Sequence, residues 1–460
     1  MVVLQGKSSF DDDTSTGLSA QNGEAQDTSL SWYILGLLTF TYALAYVDRQ
    51  LLNLVVDPVK HTLGVSDTQF SFIQGAAFIF AYVAAAPLFG RLVDVTNRRN
   101  ILIFGVCAWS GCTVLCGMAD SFWELAIARF GVGVSEACVF PVAMSLIPEL
   151  FSTRRLPRAL SLFALGTQIG GGFSLLAGGA VIAFAATVAL FIPALASLEV
   201  WQLSFVLIGL PGFLLAALLF SFREPARRGV AGKDRADPPW PTSKSLARIW
   251  KDRAFYGRIY LFNCGSGTVF LSIPAWYPTY LIRVHGMSPT NVGFTVGLIT
   301  LAFGAAGTLF GPFLSQRLAS RGYEDAPLRA AAMASVGSFL FCFAIPYAPS
   351  ANVALAIIAG IIFCCAVPTS LVAFSLQRAT PGRMRGTVAS LYTLIGQSVG
   401  YGIGPTAIAL ITDHVFGDPL RIGSSLQIVC CVAAAVIITA LVSNFGPYRR
   451  FIAAATGQAS

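Results

Sequence analysis

The run YILGLLTFTYALAYVDRQLLNLVV, residues 33–56, decides the fold. It is long enough to cross a bilayer, which takes roughly 20 predominantly apolar residues. A helix on the surface of a soluble protein keeps an apolar stripe and a polar face; this run has no polar face. What it carries instead is an isolated Asp48-Arg49 pair deep inside an apolar helix. Charges in a spanning segment are costly and mark function.

Eleven further runs read the same way: 70–93, 101–119, 122–148, 158–183, 201–222, 256–282, 291–316, 328–347, 351–376, 384–411 and 423–445. The apolar stretch 184–200 reads as an extension of helix 5 followed by a loop, or as a re-entrant element. Of the 460 residues, 55% are hydrophobic and 11% charged, where a soluble domain carries roughly 25% charged residues. The 44 glycines and 35 phenylalanines suit packed membrane helices, in which Gly lets backbones approach. The expected fold is an all-α membrane protein of twelve spanning helices.

The formal charge is +8, but its distribution argues for topology and against a nucleic-acid partner. Under this helix assignment, the loops, the linker and the C-terminal tail put 24 Lys and Arg residues on one side and three, Lys60, Arg283 and Arg421, on the other. Basic loops stay in the cytoplasm, so the linker and both chain ends are expected there, in a multi-pass protein of a bacterial inner membrane. The first thirty residues hold five acids, one base and no apolar core. They read as a disordered tail and not as a signal peptide. The polar, Pro-rich segment 223–255 is the one long break. The expected organisation is a tail (1–30), a six-helix bundle (31–222), a linker (223–255), a second six-helix bundle (256–447) and a tail (448–460). The ten cysteines form no C-x-x-C pair and read as reduced, packed thiols.

The halves repeat one another. At an offset of 229, Arg154 answers Arg383, Ser161 Ser390, Leu162 Leu391, Leu165 Leu394, Gln168 Gln397 and Gly171 Gly400. Parallel six-helix repeats are a transporter architecture.

The loop after helix 2, GRLVDVTNRR (Gly90 to Arg99), resembles the signature loop of the major facilitator superfamily, with Gly90, Asp94, Arg98 and Arg99 in place and Asn97 where Gly is usual. Its second-half counterpart, GPFLSQRLASR (Gly311 to Arg321), has Ser315 where the acid would be. A carboxylate at a helix end beside basic side chains can latch one closed state. Within that superfamily the chain looks most like the Spinster group. YVDRQ (Tyr46 to Gln50), DVTNRRNILIFGVCAWS (Asp94 to Ser110) and FWELAIARFGVGVSEA (Phe122 to Ala137) carry the resemblance, which covers the first six helices well and the second six only generally. It implies a carrier of lysolipids or sphingoid phosphates. The same Asp-Arg and Arg…Glu-Ala elements occur in organic-anion (sugar-acid) symporters, so both substrate classes stay open.

Four charges lie inside helices: Asp48, Arg49, Arg129 and Glu136. At about 1.5 Å per residue, Asp48 lies roughly 13 Å from the outer surface and Arg129 roughly 12 Å from it. The two are therefore expected to meet. Glu136 lies about 10 Å deeper on the Arg129 face of helix 4, and Arg49, about 100° around helix 1 from Asp48, can swing toward it. Burial disfavours a charged carboxylate and a neighbouring guanidinium favours it, so making and breaking such a contact can load and release a proton. Asp48 and Glu136 are the expected protonation sites, with Arg49 and Arg129 as charge partners or headgroup ligands. The alternative is static ion pairs that only fix packing. Gln168, Asn263, Tyr392, Gln397 and Tyr401 are candidates to line a cavity, or to tie helices together. Arg283 is expected to reach the interface from a helix end.

No enzyme is expected. The only histidines, His61, His285 and His414, sit near helix ends without metal-ligand spacing, and no G-x-S-x-G occurs. The expected function is proton-coupled transport by alternating access of an amphiphilic anion, by a monomer in the lipid bilayer, with the proton gradient in place of a metal or organic cofactor. The alternatives are a sugar-acid proton symporter and a binding-only receptor.

Overall fold

The computed structural model describes residues 28–152, 155–191, 197–225, 241–381 and 384–455. Among them, eleven helices are long and apolar enough to cross a membrane. A twelfth, Arg253–His285, spans by length, 33 residues or about 50 Å, but is more polar. In chain order the twelve are α1 (Ser29–Leu54), α2 (Asp67–Val95), α3 (Arg98–Cys116), α4 (Phe122–Leu150), α5 (Leu156–Phe191) and α6 (Val200–Leu219) in the first half. The second half has α7 (Arg253–His285), α8 (Pro289–Ala319), α9 (Ala326–Tyr347), α10 (Ala351–Ala379), α11 (Thr387–Phe416) and α12 (Pro419–Ser443).

Short polar residues start these helices. Thr28 caps α1, Asn97 α3, Ser121 α4, Ser288 α8 and Ser350 α10, each accepting a backbone N–H of the first turn. Such caps satisfy donors that the helix itself leaves free. Ser66 and Gln69 form a reciprocal capping box at the start of α2. α7 ends at Gly286, whose φ of 64° only glycine adopts readily.

Helix α5 runs on through the first part of the apolar 184–200 stretch; 192–196 lie outside the described residues. Three short helices were not expected: Val56–Leu63, Thr242–Lys251 within the linker, and Phe445–Ala455 after α12. A search for long apolar runs passes over them because each has a polar face. Residues 1–27 of the expected tail, and the Arg154–Arg383 pair of the repeat, lie outside the described residues.

The packing follows the repeat. α1 packs on α5 as α7 does on α11, α3 on α6 as α9 on α12, and α2 on α4 as α8 on α10. Between halves, α5 lies along α8 and α2 touches α11. Glycines make the approach close. A Cβ on Gly293 of α8 would stand 2.7 Å from the Leu175 carbonyl of α5, and one on Gly75 of α2 would run into the Tyr401 carbonyl of α11.

Twelve crossings put the linker and both chain ends on one side, called here the linker side. On the far side, polar ties join the halves. Arg283 at the end of α7 bonds Asp57 through Nε and Nη2, at 2.8 and 2.6 Å, and Asp67 through Nη1 and Nη2, both at 2.8 Å. Lys60 adds a bond to Asp67. The Thr68 backbone N–H and hydroxyl both donate to Asp413 of α11 at 2.7 Å. Arg283 thus does not reach out to the membrane interface, as its sequence position implied. Its side chain is 6% exposed, held by two acids more than 200 positions away.

Candidate functional site

Helices α1 and α4 bring the four intramembrane charges together in two pairs. Asp48 Oδ1 lies 3.5 Å from Arg129 Nη1, and Asp48 Oδ2 accepts from the Thr113 hydroxyl of α3 at 2.9 Å. Both charged side chains are buried. One residue on around α1, Arg49 reaches the other way: its Nε donates to Glu136 Oε2 at 2.7 Å, and its Nη2 contacts the same oxygen. The depths read from the sequence therefore correspond to the partners observed.

Aromatic rings hold the guanidinium groups. Arg49 lies 4.4 Å from the Phe78 ring centroid and 5.0 Å from that of Tyr46; Arg129 lies 5.9 Å from Phe78. A cation over a ring face is favourable and more so out of water. Phe78 on α2 thus sits between the two arginines. Arg129 Nε and Glu136 Oε1 are buried and bond to nothing among the described residues. Each pair therefore keeps unused hydrogen-bonding capacity beside its salt bridge.

A small cavity of about 30 Å³ opens against this wall, between the halves. Arg49, Gln50, Asn53, Gln74 and Arg129 line it from the first half. Leu271, Pro274, Ala275, Tyr401 and Pro405 line it from the second. The first wall is charged and amide-rich, the second mostly apolar. Gln50, Asn53 and Gln74 form a chain: Asn53 Nδ2 donates to Gln50, and Gln74 Nε2 donates to Asn53 Oδ1 at 2.6 Å and to the Ala275 carbonyl at 3.2 Å. Gln74 Oε1 is buried without a partner among the described residues.

Sequence reasoning missed these amides, Thr113 and Phe78. The spacing of Arg49 and Asn53, four apart on one face of α1, held the signal for Asn53. Gln74, an amide inside the apolar run 70–93, carried the same signal as Gln168 and Gln397, but its contact with Asn53 had none, because it sits in a π-helical turn, Phe72–Ala76. Such turns recur at functional sites.

The other candidates divide. Tyr401 lines the cavity. Asn263 spends its amide on the Tyr392 carbonyl, and Gly396 packs against it, so Asn263 ties α7 to α11. Tyr392 is half-buried and Gln397 exposed on α11. Gln168 lies on α5, with its side chain outside the described residues.

At the linker-side loop, Gly90 is half-buried and Asp94 is exposed near the end of α2. The buried member is Arg98, which pairs with Glu149 at the end of α4 (2.7 Å) and Glu224 beyond α6 (2.8 Å) and bonds the Pro225 carbonyl at 2.9 Å. Arg99 bonds the Phe222 carbonyl at 2.8 Å. Asn97, the departure from the usual Gly, caps α3 by accepting from Asn100 N–H at 2.9 Å.

Two pseudo-symmetric six-helix bundles, with paired charges buried at the cavity between them, define a membrane transporter and not an enzyme. The chain belongs to the major facilitator superfamily, whose model matches residues 38–405. It is similar to an MFS-type efflux pump of Mycolicibacterium smegmatis, 28% identical over 298 residues, which are 63% of this chain and 64% of the pump. It is also similar to protein spinster homolog 1 of Xenopus laevis (28%) and of Homo sapiens (27%), in each case over 83% of this chain and 73% of the relative. In fold it resembles a bacterial homologue of the human lysosomal transporter Spinster, solved inward-facing and unoccupied, with a TM-score of 0.76 at 22% identity over 92% of this chain and 98% of that one. A D-xylose-proton symporter shares the fold at a TM-score of 0.65 and 14% identity, over 88% of this chain and 97% of that one. The chain is thus a multi-pass transporter of the superfamily, similar to the Spinster proteins.

Proposed function

We propose that this transporter is proton-coupled, works by alternating access and carries an amphiphilic anion of the lysolipid or sphingoid-phosphate class. The observation behind the reading is the two buried carboxylate–guanidinium pairs whose arginines, Arg49 and Arg129, line one wall of the cavity, facing a mostly apolar wall on the other. A proton taken up by Asp48 cancels its charge and releases Arg129 Nη1, which can then hold an anionic headgroup. Glu136 and Arg49 repeat the exchange one helical face away. The apolar second-half wall suits a hydrocarbon tail. Loss of the proton restores the ion pair and expels the headgroup, so proton and cargo movements are linked without a metal or organic cofactor.

The relatives named Spinster, and the solved homologue of a lysosomal Spinster transporter, support the class of carrier. With its far side tied shut, the structure suits the state in which the cavity communicates with the linker side. The skew of basic residues supports a cytoplasmic linker and cytoplasmic chain ends, in a bacterial inner membrane. The protein is read as a monomer, and the Asp94–Arg99 loop as a latch on the linker side.

The Gln50–Asn53–Gln74 chain favours a second reading, a sugar-acid symporter, because amides offer both donors and acceptors to hydroxyl groups. Proteoliposomes with an imposed pH gradient separate the readings. Uphill movement of lysophosphatidate or a sphingoid phosphate, and not of a hexuronate, is the expected result. Uphill movement of the hexuronate alone overturns the substrate class, and binding without flux makes the protein a receptor.

A further inference from the structure

We propose that Lys251, Arg253 and Arg258, at the linker-side end of α7, hold the headgroup of an anionic membrane lipid. They surround a surface cavity of about 450 Å³ whose other lining residues are Ala254, Gly257 and Leu261. Two of these, Ala254 and Gly257, have little or no side chain, and a Cβ on Gly257 would meet nothing within 4 Å. Residues 254, 257, 258 and 261 fall at i, i+3, i+4 and i+7, so they share one face of α7. That face is basic at its linker-side end and apolar further along, where Leu261 is 48% exposed.

The linker helix Thr242–Lys251 ends at the cavity with Lys251. It turns Trp250, 73% exposed, and Leu246, 45% exposed, outward on one face four residues apart. The Arg253 guanidinium lies 5.8 Å from the Trp250 ring centroid. Asp252, the acid between Lys251 and Arg253 in the chain, is taken by Arg248. A short basic helix with Trp and Leu on its other face lies in the membrane interface, and Trp rings settle at headgroup level. Clustered Lys and Arg next to a spanning helix attract anionic lipids. A free anion would use the three charges but none of the exposed Trp250, Leu246 and Leu261. A lipid uses both, with its phosphate among the bases and its chains along Leu261. The site is on the outer surface of the bundle and is separate from the cavity between the halves, so it does not depend on the cargo.

The test uses the full chain, delipidated in detergent, with native mass spectrometry and thermal unfolding as readouts. Phosphatidylglycerol should bind and raise the unfolding midpoint, while phosphatidylcholine and inorganic phosphate should not. The triple variant Lys251→Gln/Arg253→Gln/Arg258→Gln should bind phosphatidylglycerol about 10- to 100-fold more weakly, since each base near the lipid surface contributes to attraction. Arg317→Gln/Arg321→Gln, which removes exposed charge at the linker-side end of α8, should bind as the wild type does. Gly257→Leu fills the cavity with no change of charge and should weaken binding as well, which keeps the test open if the triple variant folds poorly. Equal binding of phosphatidylcholine, saturation by inorganic phosphate, or full binding by both the triple variant and Gly257→Leu would overturn the proposal.

Discussion

Asp48 touches two different partners: a cation on α4 and a hydroxyl on α3. Only the first depends on its charge. Asp48→Asn keeps an acceptor for Thr113 and removes the group that can exchange a proton. Expected in proteoliposomes is loss of pH-driven uphill accumulation with substrate exchange retained; accumulation at the wild-type rate would remove Asp48 from the coupling. The second pair makes a stability prediction. Glu136 is fully buried and Arg49 nearly so, at 12% side-chain exposure. Breaking a buried pair strands its other member and costs about 3–5 kcal/mol, whereas replacing both by apolar groups is often neutral. Arg49→Leu should therefore unfold far more readily than Arg49→Leu/Glu136→Leu, measured by thermal unfolding in detergent. These pairs were legible in the sequence because depth in a spanning helix is simple arithmetic and four charges in apolar helices stand out. The contacts of Gln74 were not legible, since a local π-helical turn leaves no mark in a polar–apolar pattern. Arg283 was misread, since depth on one helix says nothing about acids arriving from another.

Among the elements, the spanning helices were readable because hydrocarbon demands length and apolarity. Their ends were less so, because ends are fixed by local bonds. Asn97 shows the point. In the family pattern it is an anomaly; in the structure it caps α3 and sets the start from which Arg98 turns inward to Glu149 and Glu224. Asn97→Ala should cost about 1 kcal/mol, and Asn97→Gly only a few tenths, because Gly is itself a fair cap. Thermal unfolding midpoints in the order wild type, Gly, Ala check this; a Gly variant less stable than the Ala variant would show that the side chain does more than cap. The short helices Thr242–Lys251 and Phe445–Ala455 follow a different rule. They are set by one apolar face and a boundary with water, so length and hydropathy alone could not separate them from the linker and tail.

At the scale of the whole molecule, the halves share their packing but reverse their charge. Where the first half buries Arg98 between two acids, the second buries Asp325 beside Arg329 at 2.6 Å and Arg449 at 3.7 Å. Each cluster ties helix ends within its own half, which stiffens the bundle and leaves relative motion to the contacts between halves. On the far side those contacts centre on Arg283, which bonds Asp57 and Asp67 of the other half at once. Its loss leaves Asp67 buried with Lys60 as its one cationic partner among the described residues, and opening the far side would relieve that by admitting water. Arg283→Ala should thus disfavour the closed far side by about 3 kcal/mol, a change of about a hundredfold in a two-state ratio. Spin labels at the exposed positions His61 and Val415 report the far side, and labels at Arg91 and Arg321 the linker side. If the halves rock as rigid bodies, Arg283→Ala lengthens the first distance and shortens the second together. A far-side distance that grows while the linker side stays fixed would mean local fraying, and two unchanged distances would mean that Arg283 does not hold the gate.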